Sequence, residues 1–184
     1  MGGISLPEST APGPTKPEVR AILLRTLDLG PEDHFVDVGA GTGAVTIEAA
    51  RTGARVTAIE RDTGRVDAIE TNLEASAPDG SVTVRNATAP AGLPETATAV
   101  FVGGTRNLEG VTDWAERVGP RTIVCNAARL ETATRAIAEF DGRGWEPTVR
   151  RISIGRGEDL AGETAIVPDR PVFMISAHPG TEER

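Results

Sequence analysis

The chain has 184 residues, a length typical of one domain built around a single hydrophobic core. Hydrophobic residues make up 39% of it and charged residues 25%, a composition that fits a globular protein and excludes a disordered or collagen-like chain. No stretch approaches the roughly 18 consecutive apolar residues that a membrane span requires, so we expect no membrane partner.

The formal net charge of −8 argues against a generic nucleic-acid-binding protein, because such binding requires clustered Lys and Arg side chains that face phosphates. Aromatic residues account for 3% of the chain and tyrosine is absent, which disfavours a surface on which bases stack. We therefore expect no nucleic-acid partner. The acidity itself fits either a salt-rich cytoplasm or a GC-rich genome, and the sequence does not separate the two.

Cys125 is the only cysteine, which excludes an internal disulfide and any multi-cysteine metal site. We accordingly predict no bound metal. Residues 1–12 lack the basic patch and apolar stretch of a signal peptide. Together these features predict a cytoplasmic protein.

Helices and strands alternate from Thr15 onward. Apolar residues recur at helical spacing from Val19 to Leu27 and predict a first helix that ends near Gly30. The patterns that follow predict strands at 34–38, 55–60 and 81–85, with helices at 44–51 and 62–75 between them.

The second half of the chain continues this alternation. Its patterns predict a strand at 99–102, a helix over 108–118, a strand at 122–126 and a helix over 130–140. Two last strands, at 148–154 and 172–177, have no helical pattern between them. We expect them to pair as an antiparallel hairpin at the sheet edge, joined by a long loop.

This order of elements predicts a Rossmann-like α/β fold, with a mostly parallel seven-stranded sheet, helices on both faces and a C-terminal antiparallel hairpin. We expect residues 1–184 to form one domain, with a loose segment at 1–14 and a tail at 179–184. In such sheets the ligand binds beyond the carboxyl ends of the strands. The candidate loops are therefore 39–43, 60–62, 86–90, 103–106 and 126–131.

A glycine-rich loop follows the first strand. Glycines at 39, 41 and 43 allow a tight turn and a close backbone approach to a ligand, and the next helix points its free N–H groups there. Glu60 ends the second strand and can accept hydrogen bonds from both ribose hydroxyls, so loop and acid together indicate an adenosine-type ligand. This pattern alone fits both a nicotinamide dinucleotide and S-adenosylmethionine.

Asp37 favours S-adenosylmethionine. A carboxylate within an apolar strand is costly unless a cation or a hydrogen-bond donor meets it, and the α-ammonium of a methionine group would do so. A pyrophosphate would be repelled instead. The alternative is that Asp37 only accepts hydrogen bonds from nearby loop amides and contacts no ligand.

These residues carry a resemblance at two levels. The run from Asp37 to Gly43, followed by Glu60, resembles the first two motifs of class I S-adenosylmethionine-dependent methyltransferases. More narrowly, the chain is similar to the cobalamin-pathway precorrin-6B or cobalt-precorrin-6B C15-methyltransferases (decarboxylating). The segments that carry this similarity are 12–15, 18–20, 37–43, 89–90, 102–104, 130–132 and 155–157.

The resemblance implies transfer of a methyl group from S-adenosylmethionine to C15 of a tetrapyrrole, with loss of carbon dioxide from an acetate side chain. It also implies a stand-alone enzyme that assembles as a homotetramer. Thr88 stands where the family often has an acid, so contact with adenine would fall to the backbone near Ala89. The implied cofactor-binding residues are Thr15, Asp37, Gly39, Ala40, Gly41, Thr42, Gly43, Glu60, Arg61, Thr88 and Ala89.

The implied substrate carries many carboxylates, for which guanidinium groups are natural partners. We expect Arg106, Arg129 and Arg156 to bind these carboxylates, although each could instead be a solvated or ion-paired surface residue. The remaining residues of the expected substrate site are Gly104 and Thr105, with Asn126 or Glu131 orienting the ring.

An electron-rich carbon can attack a sulfonium methyl without a nucleophile triad, so positioning is expected to supply most of the catalysis and no catalytic residue is assigned. His34 and His178 flank the first and last strands and are expected at the surface or facing a partner, while Cys125 is expected to be inert. Thr15 and Glu18 also fit a capping box at the start of the first helix.

Other functions stay open at this point. A class I methyltransferase acting on tRNA or protein would share the first half of the chain, although the acidity and few aromatics weigh against RNA. A nicotinamide-dependent oxidoreductase would also bind at the glycine loop, but it would leave Asp37 and the two-strand ending unexplained.

Overall fold

Five helices and nine strands form residues 15–179, the part of the chain that the computed structural model describes. The helices are α1 (Pro17–Leu27), α2 (Ala44–Ala50), α3 (Thr63–Ser76), α4 (Leu108–Val118) and α5 (Leu130–Asp141). The strands are β1 (His34–Val38), β2 (Arg55–Glu60), β3 (Val82–Asn86), β4 (Ala99–Val102), β5 (Thr122–Ala127), β6 (Thr148–Ile152), β7 (Gly155–Leu160), β8 (Glu163–Pro168) and β9 (Val172–Ala177). The predicted loose segment 1–14 and residues 180–184 of the predicted tail lie outside the described residues.

Seven of the strands form one sheet in the order β3-β2-β1-β4-β5-β9-β6. The first five of these pair in parallel, and β9 lies antiparallel between β5 and β6. The strand order reverses direction between β1 and β4, so the loops that follow these two strands meet at the carboxyl edge of the sheet. The predicted mostly parallel sheet with an antiparallel ending is confirmed.

Two hydrophobic clusters cover the two faces of the sheet. On one face, α1 and α2 pack against Phe35, Val56 and Phe101. On the other, α4 and α5 bury Val36, Val100 and other strand residues around the Phe140–Trp145 ring pair. Successive residues of β1 and β4 point to opposite clusters, which is the alternation expected for strands covered on both sides.

The predicted long loop between the last two strands is wrong. Residues 155–168 form β7 and β8, which pair antiparallel as a separate two-stranded sheet. Its turn residues Ala161 and Gly162 have φ of 55° and 84°, the left-handed conformation that two-residue hairpin turns require. Most of this hairpin is exposed, including Leu160 and Ile166.

His34 is also not the surface residue that we expected. Only 5% of it is exposed, and its ring nitrogens lie 2.9 Å from the Thr57 hydroxyl and 3.2 Å from the Thr96 hydroxyl. Burial, together with the positive charge of Arg55, lowers the pKa of His34. It therefore belongs to the structural packing at the amino ends of the strands, on the opposite edge from the glycine loop.

Candidate functional site

The loops after β1 and β4 touch at the carboxyl edge of the sheet. The backbone N–H groups of Gly103 and Gly104 donate to the Val38 carbonyl oxygen at 2.9 and 3.0 Å. Gly39 has φ 79°, and a Cβ atom there would lie 2.7 Å from the Gly104 nitrogen. Only glycine permits both this backbone conformation and this approach, so the predicted glycine loop also fixes the second loop.

Helix α3 supports the glycine loop from below. The Asn72 amide donates to the Thr42 carbonyl oxygen at 2.9 Å, and Ile69 packs where a Cβ at Gly43 would lie, 3.2 Å away. At Gly41, by contrast, a Cβ would meet no atom within 4 Å, although φ is 63°. The glycine loop is thus packed against α3 at Thr42 and Gly43. It is open beside Gly41, where a ligand can approach the backbone.

Asp37 is fully buried in β1, and its carboxylate is only partly satisfied. Oδ2 accepts a 2.7 Å hydrogen bond from the Thr46 hydroxyl of α2, while Oδ1 has no hydrogen-bond partner among the described residues. Burial raises the pKa of Asp37 to about 7, against the hydrogen bonding from Thr46 and with help from the charge of Glu60. An unpaired buried carboxylate oxygen beside a glycine loop fits a cationic ligand group.

The Glu60 carboxylate, at the end of β2, accepts hydrogen bonds from three backbone N–H groups. Its Oε1 accepts from the N–H groups of Arg61 and Asp62 at 2.9 and 3.0 Å, and its Oε2 accepts from the Gly41 N–H at 2.9 Å. A carboxylate offers about four acceptor positions, so three are used and roughly one is left. Glu60 therefore both holds the glycine loop and keeps acceptor capacity for a ligand hydroxyl.

A cleft of about 350 Å³ opens between the ends of β1, β2, β3 and β4. It brings together eight residues of the predicted cofactor and substrate sites, which come from the loops after four different strands. These are Gly39, Glu60, Arg61, Thr88, Ala89, Gly104, Thr105 and Arg106.

Several residues of this cleft were not among the predicted site residues, although Asp62 lies in the predicted candidate loop 60–62. Asp62 accepts from the Arg65 N–H as the N-cap of α3, and both line the cleft. Asn107 donates to the Ala89 carbonyl oxygen at 3.3 Å and so ties the loop after β3 to the start of α4. The signal for Asp62 was present in its position beside Glu60, whereas Asn107 has no distinguishing motif.

A second, smaller cavity of about 120 Å³ adjoins the glycine loop and shares Gly39, Arg65 and Gly103 with the cleft. It is lined by Asp37, Thr15 and the loop residues 39–42, so it collects the remaining predicted cofactor residues except Gly43. The predicted capping box is wrong, because Lys16 is the N-cap of α1 and no side chain caps it. Thr15 instead faces this cavity, and its carbonyl oxygen accepts from Arg20.

Four predicted substrate residues line neither cavity. Asn126 ends β5 with both amide atoms buried and without a partner among the described residues. Arg129 and Glu131 are exposed at the start of α5, where no described residue forms an ion pair with either. Arg156 lies in β7 and pairs with Glu18 and Asp169.

Within residues 15–179 we find no His, Cys, Asp and Glu grouping that would hold a metal ion. Cys125 is completely buried in β5, and burial raises the pKa of its thiol to about 12. His178 is exposed and its Nδ1 lies 2.9 Å from the Arg121 carbonyl oxygen, on the amino-end side of β5. None of these groups is placed as a nucleophile or base at the cleft. No helix in the described part of the chain is both long and apolar enough to cross a membrane.

Solved structures share this architecture. A precorrin-6Y C5,15-methyltransferase from Geobacter metallireducens superposes with a TM-score of 0.83 at 30% identity, covering 95% of this chain and 94% of the other. A structure described as precorrin 8W decarboxylase, from Methanobacterium thermoautotrophicum, gives 0.84 at 31% identity, covering 90% and 92%. The fold, the glycine loop and the two carboxylates define a class I methyltransferase whose methyl donor is S-adenosylmethionine.

Sequence comparison narrows this class to one family. The model of the precorrin methyltransferase domain matches residues 13–178. A relative from Halobacterium salinarum, a probable cobalt-precorrin-6B C(15)-methyltransferase (decarboxylating), is 45% identical over 175 residues, which cover 95% of this chain and 94% of the relative. The chain therefore belongs to the precorrin methyltransferase family, as its motifs predicted. This finding favours the corrin pathway over the tRNA, protein and nicotinamide alternatives.

Proposed function

We propose that this enzyme methylates C15 of cobalt-precorrin-6B or precorrin-6B and releases carbon dioxide from an acetate side chain of the same tetrapyrrole. The observation that carries the substrate is the 45% identity with the Halobacterium salinarum relative over nearly the full length of both chains. The cleft adds chemical support, because Arg61 and Arg106 bring two guanidinium groups to its lining.

The residues around both cavities fit S-adenosylmethionine. The unpartnered Asp37 Oδ1 would accept from its α-ammonium, and the remaining acceptor position of Glu60 would take one ribose hydroxyl rather than the two that we expected. The backbone at Thr88 and Ala89 would border the adenine. Bound there, the sulfonium supplies an electrophilic methyl group.

The substrate side of the proposal lies along the ends of β4 and β5. Arg106 lines the cleft beside Gly104 and Thr105, and it forms no ion pair within residues 15–179. Arg129 is similarly exposed without an ion-pair partner in that range, so both guanidinium groups are available for carboxylates. The guanidinium of Arg156 is less available to a substrate carboxylate, because it already forms ion pairs with Glu18 and Asp169.

Orientation of the substrate ring is assigned to Asn126 or Glu131. Asn126 is the stronger of the two, because both polar atoms of its amide are buried without partners in the described structure. Leaving a buried polar atom without a hydrogen bond costs roughly 1–3 kcal/mol of free energy. A ligand that supplies the missing hydrogen bonds recovers this cost. No His or Cys side chain stands among the described residues that line the cleft, so the chain acts by aligning the attacking carbon with the methyl group and by excluding water.

We further propose that residues 1–184 act as a single domain in the cytoplasm. We also propose that the chain forms a homo-oligomer, and the family resemblance implies a tetramer. The exposed apolar side chains of Leu160, Ile166 and Val167 on the β7–β8 hairpin support self-association. Sedimentation equilibrium tests this assignment: an Ile166→Asp variant should lower the oligomeric state, and a monomeric wild type would refute it.

Two measurements test the proposed function. Calorimetric titration should show binding of S-adenosylhomocysteine and none of NAD or NADP. Incubation with S-adenosylmethionine and enzymatically prepared cobalt-precorrin-6B should then yield a product that has gained a methyl group and lost carbon dioxide, as read by mass spectrometry. Cofactor binding without this conversion would reject the substrate, and dinucleotide binding would reject the cofactor site.

A further inference from the structure

A cluster of four charged side chains joins the β7–β8 hairpin to the start of α1. Asp169 Oδ2, at the base of the hairpin, lies 3.1 Å from Lys16 Nζ and 3.3 Å from Arg156 Nε. Arg156 Nη2 lies 3.1 Å from Glu18 Oε1. We name Lys16, Glu18, Arg156 and Asp169 the hairpin cluster.

The backbone fixes this cluster at the base of the hairpin. The Asp169 N–H donates to the Ile154 carbonyl oxygen at 2.8 Å, which closes the end of the hairpin next to the main sheet. Lys16 Nζ also donates to the Arg170 carbonyl oxygen at 3.1 Å. The side chains of Lys16 and Glu18 therefore tie the start of α1 to the hairpin, through ion pairs and one hydrogen bond to a main-chain carbonyl oxygen.

Thr15 directly precedes the hairpin cluster and lines the smaller cavity with Asp37. Its carbonyl oxygen accepts from Arg20, a residue that is 7% exposed and whose Nε lies 2.7 Å from Glu48 of α2. The segment that carries Thr15 is thus held from the interior by Arg20 and from the solvent side by the hairpin cluster.

We propose that the hairpin cluster positions Thr15 against the cofactor, so that the β7–β8 hairpin raises cofactor affinity although no hairpin residue lines either cavity. The inference rests on the proposed function, because it takes the smaller cavity as part of the cofactor site. Lys16, Glu18, Arg156 and Asp169 are positioning residues in this arrangement, acting through Thr15. Arg156, predicted from the sequence to hold substrate, here serves the cofactor side instead.

Asp169→Asn is the direct test, because it removes the carboxylate shared by Lys16 and Arg156. Exposed ion pairs each contribute little, so the loss of two should weaken binding of S-adenosylhomocysteine about threefold to tenfold at low ionic strength. Because Arg156 is exposed while Lys16 and Asp169 are half-buried, salt screens these charges in part, and the difference from wild type should shrink at about 1 M salt. Asp169→Glu should restore most of the affinity.

Asp28→Asn provides a matched control. It removes an exposed ion pair with Arg25 at the other end of the same helix, and asparagine tolerates the φ of 49° at this position. Its affinity for S-adenosylhomocysteine should equal that of wild type at both salt concentrations. Equal, salt-dependent losses in both variants would show a general effect of charge and would overturn the inference.

Lys16 also gives a spectroscopic test, since it is the only lysine in the sequence. Reductive methylation with ¹³C-formaldehyde keeps its charge and places one side-chain signal in the NMR spectrum, apart from that of the terminal amine. The chemical shift of this signal should change when Asp169 is replaced by Asn, because Asp169 Oδ2 lies 3.1 Å from Lys16 Nζ, and addition of S-adenosylhomocysteine should move the signal in wild type. A signal unaffected by either change would contradict the proposal.

The outcomes separate the two levels of inference. If S-adenosylhomocysteine fails to bind wild type, the proposed cofactor site is wrong. If it binds wild type and Asp169→Asn equally at low salt, the cofactor site stands and only the positioning role of the hairpin cluster falls. A lower urea midpoint with unchanged affinity would likewise make the cluster purely structural.

Discussion

The backbone N–H of Gly41 donates a 2.9 Å hydrogen bond to the Glu60 carboxylate, so the end of β2 holds the loop that follows β1. The same carboxylate accepts from the N–H groups of Arg61 and Asp62. One buried side chain therefore sets the shape of the glycine loop and the start of α3 before any ligand binds. The acid at the ribose position is part of the scaffold as well as part of the site.

Replacing Glu60 by Gln should impair both roles. An amide keeps one acceptor oxygen and turns an NH₂ group toward backbone donors, so we expect a loss of roughly 1–3 kcal/mol in the free energy of unfolding. Affinity for S-adenosylhomocysteine should fall at least about tenfold, one such hydrogen bond being worth about 1.4 kcal/mol or more. Urea unfolding and calorimetry measure the two effects. Glu74→Gln, on the exposed side of α3, is the control and should change neither.

Replacing Gly39 by Ala should combine two costs, backbone strain from the positive φ and a steric clash of the new Cβ with Gly104. The new Cβ would lie 2.7 Å from the Gly104 nitrogen, in a residue with φ 79°, so the two loops must move apart. We expect a loss of more than about 2 kcal/mol in stability, since the left-handed conformation alone costs alanine roughly 1–2 kcal/mol. Gly119→Ala has a similar φ of 67° with no atom within 4 Å of the Cβ. It should cost only the conformational part and leave cofactor binding intact, and equal losses in the two variants would refute the collision.

Asp37 should make the unliganded protein less stable as the pH rises. Its pKa is 3.8 in the unfolded chain and about 7 when folded, so the folded state holds the proton more tightly. The resulting stability is fully present below about pH 4 and is lost as pH increases through about 7.

Asp37→Asn does not titrate at this position, so the stability of wild type relative to this variant should fall by up to roughly 4 kcal/mol between pH 4 and pH 8. Urea unfolding at several pH values gives the comparison. Parallel stability curves for the two proteins would show that Asp37 has no raised pKa. S-adenosylhomocysteine should bind the variant more weakly than wild type above about pH 7, where wild-type Asp37 is a carboxylate that can meet the ammonium.

Arg106→Ala and Arg129→Ala should raise the KM for the tetrapyrrole while kcat changes little. Each side chain is proposed to bind a substrate carboxylate that stays charged throughout the reaction, so its loss weakens ground state and transition state alike. An increase of about fivefold to twentyfold is expected for each, from about 1–2 kcal/mol per charge-assisted contact. Arg135→Ala, an exposed arginine of α5, is the control. Unchanged KM values for both variants would remove carboxylate anchoring from the proposal.

The fold and the glycine loop were predictable because their signals are local. Asp37, the glycines at 39, 41 and 43, and Glu60 lie within 24 consecutive residues, and short buried strands bracket them. The β7–β8 hairpin was missed because nearly every residue in it is exposed, so no apolar alternation marks its strands. The Ala161-Gly162 pair at its turn was the one local signal that could have revealed it.

The partners of individual side chains were predicted less well. Arg156 was predicted to bind a substrate carboxylate, but it forms an ion pair with Glu18 instead. Glu18 lies 138 residues away in sequence, and only the fold brings the two side chains together. The sequence allowed two roles for Thr15, capping of α1 and contact with the cofactor. The structure excludes the cap, because Lys16 is the N-cap residue of α1. Side-chain partners across such separations depend on tertiary packing, which no local pattern contains.

The burial of Cys125 has a practical consequence for all of these experiments. This thiol lies in β5, between β4 and β9 in the interior of the seven-stranded sheet, with no exposed surface, and the chain contains no other cysteine. A thiol reagent can reach it only when the sheet opens, so the labelling rate reports global or subglobal opening of the core. Every variant described above thus carries its own internal measure of folding integrity, with no dye or tag introduced.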